Sequence, residues 1–126
     1  MSKLIVAVDD SKTIRASLEY TLTKEGYEVV LAKDGQEGVE KLKELKEELK
    51  KPAMIITDIN MPRMDGIEFI KEAKKMSFFK FTPILVLTTE SQDKKKMEGK
   101  KAGAAGWLVK PFKQEQLLGV IQKFVK

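Results

Sequence analysis

Short apolar runs and helix-patterned segments alternate along this chain, and no other feature restricts its fold as much. Leu4 to Val8 is an apolar run closed by Asp9-Asp10. Ser11 to Glu25 follows with Ile14, Leu18 and Leu22 at helical spacing, and Gly26 marks its stop. Glu28 to Ala32 reads as a second strand, and Asp34-Gly35 turns the chain into a helix over about Gln36 to Leu49. Val39, Leu42, Leu45 and Leu49 form its stripe, with Lys and Glu on a solvent face. Lys50-Lys51-Pro52 ends that helix, and Ala53 to Asp58 is the third strand.

The second half repeats the pattern. Ile67, Ile70 and Ala73 mark a third helix, and Met76 to Thr82 is a connection whose three phenylalanines are expected to pack at the core edge. Pro83 to Thr88 is the fourth strand. Gln92 to Ala102 is predicted helical, but Met97 and Ala102 are its main apolar residues and Gly99 sits inside it, so a loosely held, exposed element is expected. Trp107 to Val109 form the fifth strand, and Glu115 to Val125 the last helix, with Leu117, Val120, Ile121 and Phe124 on one face. Strands alternating with helices call for α/β architecture, a parallel sheet covered on both faces. The 126 residues fit one core, so residues 1–126 are expected to form a single domain without an effector domain.

One stretch, Met54 to Gly66, carries the chemistry. Its apolar run closes on Asp58 and breaks at Pro62 and Asp65-Gly66 into a tight loop. In open α/β sheets the carboxyl ends of the strands are where ligands bind. Asp9-Asp10, Asp58, Thr88 and Lys110 all fall at such ends. Taken singly, Asp10 fits a helix N-cap, Lys110 a solvated loop lysine and Thr88 a strand filler. Together they crowd three carboxylates, a conflict that a divalent cation removes. With no histidine in the chain, any metal site must use oxygen ligands, which favours Mg2+, with Mn2+ as an alternative.

Val-Asp-Asp-Ser, Thr-Asp-x-x-Met-Pro-x-Met-Asp-Gly, Val-Leu-Thr-Thr and Val-Lys-Pro-Phe together resemble the receiver domains of two-component response regulators. The resemblance extends over essentially all 126 residues. It implies a flavodoxin-like (βα)5 three-layer sandwich with strand order 2-1-3-4-5, an order taken over from the family. It further implies Asp58 as phosphoacceptor, and Mg2+ held by Asp10, Asp58 and the backbone carbonyl of Asn60, with Asp9 acting through water. Thr88 and Lys110 would bind phosphoryl oxygens, and Lys110-Pro111 would be a cis peptide. Asn60 and Glu90 stand where side chains tune dephosphorylation. Trp107 replaces the usual Tyr or Phe of a switch pair with Thr88; the bulkier indole either swings partway or stays out on the docking surface.

The implied partners are a sensor histidine kinase or histidine phosphotransfer protein, a phosphatase, and an output target. The stand-alone length, Asn60, Glu90 and the Gly-Trp-Leu-Val-Lys-Pro-Phe segment look most like a chemotaxis regulator acting on the flagellar motor switch. A phosphorelay intermediate or phosphate sink is the alternative. The face made by the fourth helix, fifth strand and fifth helix, with Lys94, Lys95 and Trp107, is the expected partner surface. The chain is expected to be its own phosphorylation substrate rather than a turnover enzyme, though with intrinsic autophosphorylation and autodephosphorylation.

Other classes fit less well. A flavodoxin-like electron carrier would need its first loop to cradle a flavin phosphate, which Asp9-Asp10 would repel. The net charge of +5 raises nucleic acid, but the lysines are interleaved with Glu and no nucleic-acid-binding motif is present. The absence of cysteine, of a signal peptide and of a membrane-length apolar run leads to the expectation of a cytoplasmic protein that binds neither nucleic acid nor membrane. The expected lack of an effector domain makes a monomer the simplest expectation.

Overall fold

The computed structural model describes residues 3–125; residues 1, 2 and 126, at the ends of the expected domain, lie outside the described residues. The elements are β1 (Leu4–Val8), α1 (Lys12–Lys24), β2 (Glu28–Ala32), α2 (Gly35–Glu47), β3 (Met54–Thr57) and α3 (Gly66–Lys75). A short 3-10 turn (Ser77–Phe79) leads to β4 (Ile84–Thr88), α4 (Asp93–Ala102), β5 (Gly106–Val109) and α5 (Gln114–Phe124). All strand pairs are parallel, in the order β2-β1-β3-β4-β5. The expected flavodoxin-like α/β sandwich is therefore the observed fold.

Strand periodicity divides the core in two. Leu4, Val6 and Val8 of β1, with Ile55, Ile84 and Val86, meet Leu42 and Leu45 of α2 and Phe69, Ile70 and Ala73 of α3. The alternate residues Ile5, Ala7, Met54, Ile56, Leu85 and Leu87 meet Leu18 and Leu22 of α1 and Leu117 and Ile121 of α5. Strands covered on both faces must be apolar throughout, which is why they read as continuous runs rather than alternations. Each fully buried aliphatic side chain contributes roughly 1.5–3 kcal/mol, so the two clusters hold the sheet rim as a rigid platform.

Several local expectations are revised. Asp10 is not the cap of α1: it is exposed, and the Ser11 hydroxyl accepts from the Ile14 N–H at 3.3 Å. The stripe of α2 stops at Leu45, because the helix ends at Glu47 and Leu49 is 79% exposed at φ 57°. The Lys50 N–H donates back to the Leu45 carbonyl at 2.9 Å, so Leu49 takes the left-handed helix-ending position usually given to glycine. Of the three phenylalanines after α3, Phe79 is buried and Phe78 partly buried, but Phe81 is 86% exposed. Lys74 Nζ secures this connection by donating to the carbonyls of Phe79, Lys80 and Thr82.

The helix α4 is largely exposed, yet Gly99 is not its weak point. A Cβ at Gly99 would stand 2.7 Å from Trp107 Cζ3, so the missing side chain is what lets the indole lie on the helix. The Trp107 Nε1–H donates to the Glu90 carbonyl at 3.1 Å. The indole is thus tied to both α4 and the loop that precedes it.

Candidate functional site

The parallel register brings the acids together. Val8 is paired with Thr57, and the Asp58 N–H donates to the Val8 carbonyl at 3.0 Å, so Asp9 and Asp58 leave adjacent strands side by side. Asp9, Asp10 and Asp58 each offer an oxygen within 4.8 Å of the others. Asp9 and Asp58 are buried, at 1% and 8% exposure, while Asp10 faces solvent. On the other side Thr88 pairs with Val109, which places Lys110 just beyond the end of β5. From there it reaches across β4: its Nζ lies 2.7 Å from Asp9 Oδ2 and 3.1 Å from Asp58 Oδ2.

Asp9 and Asp58 are also fastened by backbone. Asp9 Oδ1 accepts from the Ser11 N–H at 2.9 Å, and Asp58 Oδ1 from the Ile59 N–H at 2.6 Å. Burial raises the Asp9 pKa; the Lys110 hydrogen bond, the Ser11 N–H and the Lys110 charge only partly offset it, and the Asp58 charge adds to it. Burial alone would lower the Lys110 pKa, but the hydrogen bond to Asp9 and the charges of Asp58 and Asp9 override it, and the ammonium is held above its usual value.

Three carboxylates against one ammonium leave the rim negative, and burial makes the charged form of Asp9 costlier. All-oxygen donors of this charge suit a hard divalent cation, and the open side at Asp10 lets an ion keep part of its water. The residues present therefore fit Mg2+ or Mn2+. The same acids in the first loop leave no cradle for a flavin phosphate.

The remaining predicted residues are found in different states. Thr88 is fully buried, and its hydroxyl accepts from the Glu90 N–H at 3.2 Å. Asn60 is exposed on the loop after Asp58, and Glu90 is half-buried. The Lys110-Pro111 bond is cis. Lys94 is exposed, whereas Lys95 is partly buried with Nζ 3.8 Å from Glu98 Oε2, so the two lysines are not equivalent.

Sequence reasoning missed Arg15, whose Nη1 donates to the Asp9 carbonyl at 2.7 Å, and the contact between Arg63 and Asp34. Arg15 stands one turn into α1, and its spacing from Asp9 was the available signal. The Arg63–Asp34 contact bridges two loops and leaves no local signature.

The family described as "Response regulator receiver domain" matches residues 5–122. The chemotaxis protein CheY of Thermotoga maritima is 39% identical over 127 aligned positions, covering 100% of both chains. In structure, the Vibrio cholerae chemotaxis protein CheY4 superposes with a TM-score of 0.88 at 47% identity, covering 98% of this chain and 99% of that one. The receiver domain of the Pseudomonas aeruginosa sensor histidine kinase PA1611, solved with magnesium coordinated in its active-site cleft, gives a TM-score of 0.86 at 26% identity, covering 99% and 98%. Other relatives are longer: the chain spans 46% of a Bacillus subtilis transcriptional regulatory protein and 15% of a Helicobacter pylori sensor histidine kinase.

Proposed function

This chain belongs to the response regulator receiver domain family, and we propose that it is a switch set by phosphorylation of Asp58. The observation that carries this reading is the Lys110 ammonium poised between two buried carboxylates beside a third that is open to solvent.

The donor is a phosphohistidine on a separate sensor histidine kinase or histidine phosphotransfer protein. An oxygen of the Asp58 carboxylate attacks the phosphorus, the P–N bond breaks, and its electron pair returns to the donor imidazole, leaving an acyl phosphate on Asp58. Asp10, Asp58 and the Asn60 carbonyl, with Asp9 acting through water, would hold Mg2+, which would supply positive charge against the transferred group. Lys110 then exchanges its Asp58 partner for a phosphoryl oxygen. The Thr88 hydroxyl, an acceptor for Glu90 N–H, still has its own proton to donate to another. Hydrolysis reverses the modification: water attacks the phosphorus, the P–O bond breaks, and phosphate and the free carboxylate result, with Asn60 and Glu90 tuning access. Movement of Thr88 toward the phosphoryl group draws on the Glu90 segment, which the Trp107 indole also holds, and so reaches the face of α4, β5 and α5.

The test uses intact-mass spectrometry after incubation with phosphoramidate. A single phosphoryl adduct is expected on the wild type in Mg2+, and none on Asp58→Asn or in excess chelator. An adduct that survives Asp58→Asn would overturn the assignment.

For the output, we favour the flagellar motor switch as partner, supported by end-to-end similarity to chemotaxis proteins. Beryllofluoride-charged protein should bind purified motor switch protein more tightly than uncharged protein. A relay or sink role is the second reading, favoured by the likeness to the receiver of a sensor kinase. Phosphoryl transfer onward to a histidine phosphotransfer protein, without motor binding, would select it.

A further inference from the structure

Asp34 and Arg63 lie 29 residues apart in sequence and play no part in the chemistry above, yet they join the loops on either side of it. Asp34, before α2, is only 2% exposed, and both of its oxygens are used. Oδ1 accepts from the Glu37 N–H at 2.8 Å, capping α2, while Oδ2 accepts from Arg63 Nε at 3.1 Å and from Arg63 Nη2. The neighbouring residues meet as well: a Cβ at Gly35 would stand 2.7 Å from the Met64 carbonyl oxygen. Arg63 itself has φ 67°, and the Met64 N–H donates to the Pro62 carbonyl at 2.7 Å. That closes a three-residue turn in its positive-φ form, which is strained for a residue with a side chain.

The loop after Asp58 is therefore fastened twice. Its base is closed by the Gly66 N–H on the Ile59 carbonyl at 2.8 Å. Its tip, with Asn60, Pro62 and Arg63 exposed, is held by Arg63 on Asp34 and Met64 on Gly35. We infer that the Arg63–Asp34 pair is a latch that positions the Asp58–Met64 loop and thereby sets the affinity of the acidic rim for a divalent cation. Arg63 is a positioning residue: it holds the strained tip against a buried anion and so limits where the Asn60 carbonyl can sit. Groups that hold a ligand's backbone without touching the metal commonly set its affinity. The inference rests on the reading of the rim as a Mg2+ site.

The test is calorimetric titration of the full chain with Mg2+, beside thermal unfolding without it. Arg63→Ala and Asp34→Asn are each expected to weaken Mg2+ binding about tenfold, and Arg63→Lys less. The double variant should weaken it no more than either single change, because both remove one interaction. Arg63→Gly separates positioning from backbone strain: glycine suits the positive φ, so this variant should lose less thermal stability than Arg63→Ala while losing as much Mg2+ binding. Mg2+ affinity within about twofold of wild type in both Arg63→Ala and Arg63→Gly would overturn the latch. Wild-type protein without Mg2+ binding, or binding unchanged by Asp58→Asn, would sink the reading of the rim and the latch with it.

Discussion

Gly66 abuts the carbonyl of Asp58 so closely that no Cβ could be accommodated there: the added atom would overlap the Asp58 carbonyl oxygen and crowd the Asp58 carbonyl carbon at 2.8 Å. The obstacle is backbone, so no rotamer change relieves it. The first residue of α3 is thus pressed against the proposed phosphoacceptor, and the tight loop between them is obligatory.

Gly66→Ala should therefore displace the Asp58 loop. A stability loss on the order of 3 kcal/mol is expected by denaturant titration, the upper range for overpacking. Phosphoryl adduct formation from phosphoramidate should fall with it. Wild-type stability in this variant would contradict the close approach.

Asp9 gives a pH-dependent prediction. Its folded-state pKa is raised above the usual value of 3.8, mainly by burial, so the folded state binds more protons than the unfolded state across the interval between the two values. Stability from this group is full below the unfolded value and is lost as pH rises through the folded one. Asp9→Asn should consequently gain more thermal stability relative to wild type near neutral pH than in acid. It should also reduce the stabilisation that added Mg2+ confers. Equal gains at both pH values would argue against a raised Asp9.

Asp34 runs the other way. The Glu37 N–H and Arg63 lower its folded pKa from 3.8 despite burial. Its contribution is full above the unfolded value and is lost as pH falls through the lower folded one. Asp34→Ala removes the cap of α2 and strands Arg63, and should destabilise by about 2 kcal/mol near neutral pH. Urea titrations in strong acid should show the gap to wild type narrowing. A constant gap would mean that the carboxylate charge plays no part.

Trp107 is the single tryptophan, so its fluorescence reports on one place. Gly99→Ala should displace the indole, because the new methyl would stand 2.7 Å from Cζ3, and loosen its bond to the Glu90 carbonyl. A red-shifted emission is expected, even though alanine favours the helix by up to about 1 kcal/mol. Unchanged emission would show that α4 shifts instead of the ring.

Leu49 occupies a left-handed position with nothing to hold its side chain inside. Leu49→Gly should relieve roughly 1–2 kcal/mol of backbone strain. Against it stands the added freedom of glycine in the unfolded chain, about 0.5–1 kcal/mol. A net gain near 1 kcal/mol is expected in denaturant titration, and a loss would show that Leu49 packs in solution.

The α/β class, the order of elements and the residues of the acidic rim were legible in the sequence, because each depends on periodicity or on a residue's place at the end of an apolar run. Leu4–Val8 and Ile84–Thr88 read as buried strands since a strand covered on both faces has no polar side. Once strands are parallel, their carboxyl ends share one rim, so the sequence alone groups Asp9, Asp58, Thr88 and Lys110. What only the tertiary structure decided is how distant loops constrain one another. Arg63 on Asp34, Gly66 under the Asp58 carbonyl and Trp107 on Gly99 are contacts between segments that approach only after the sheet is assembled. Their residues carry no local mark of it: an arginine beside a proline, or a glycine inside a lysine-rich helix, reads as exposed or weak until a neighbour occupies the space. Propensity is a property of a few consecutive residues, whereas close approach belongs to two backbones at once, and only the folded chain brings both to the same place.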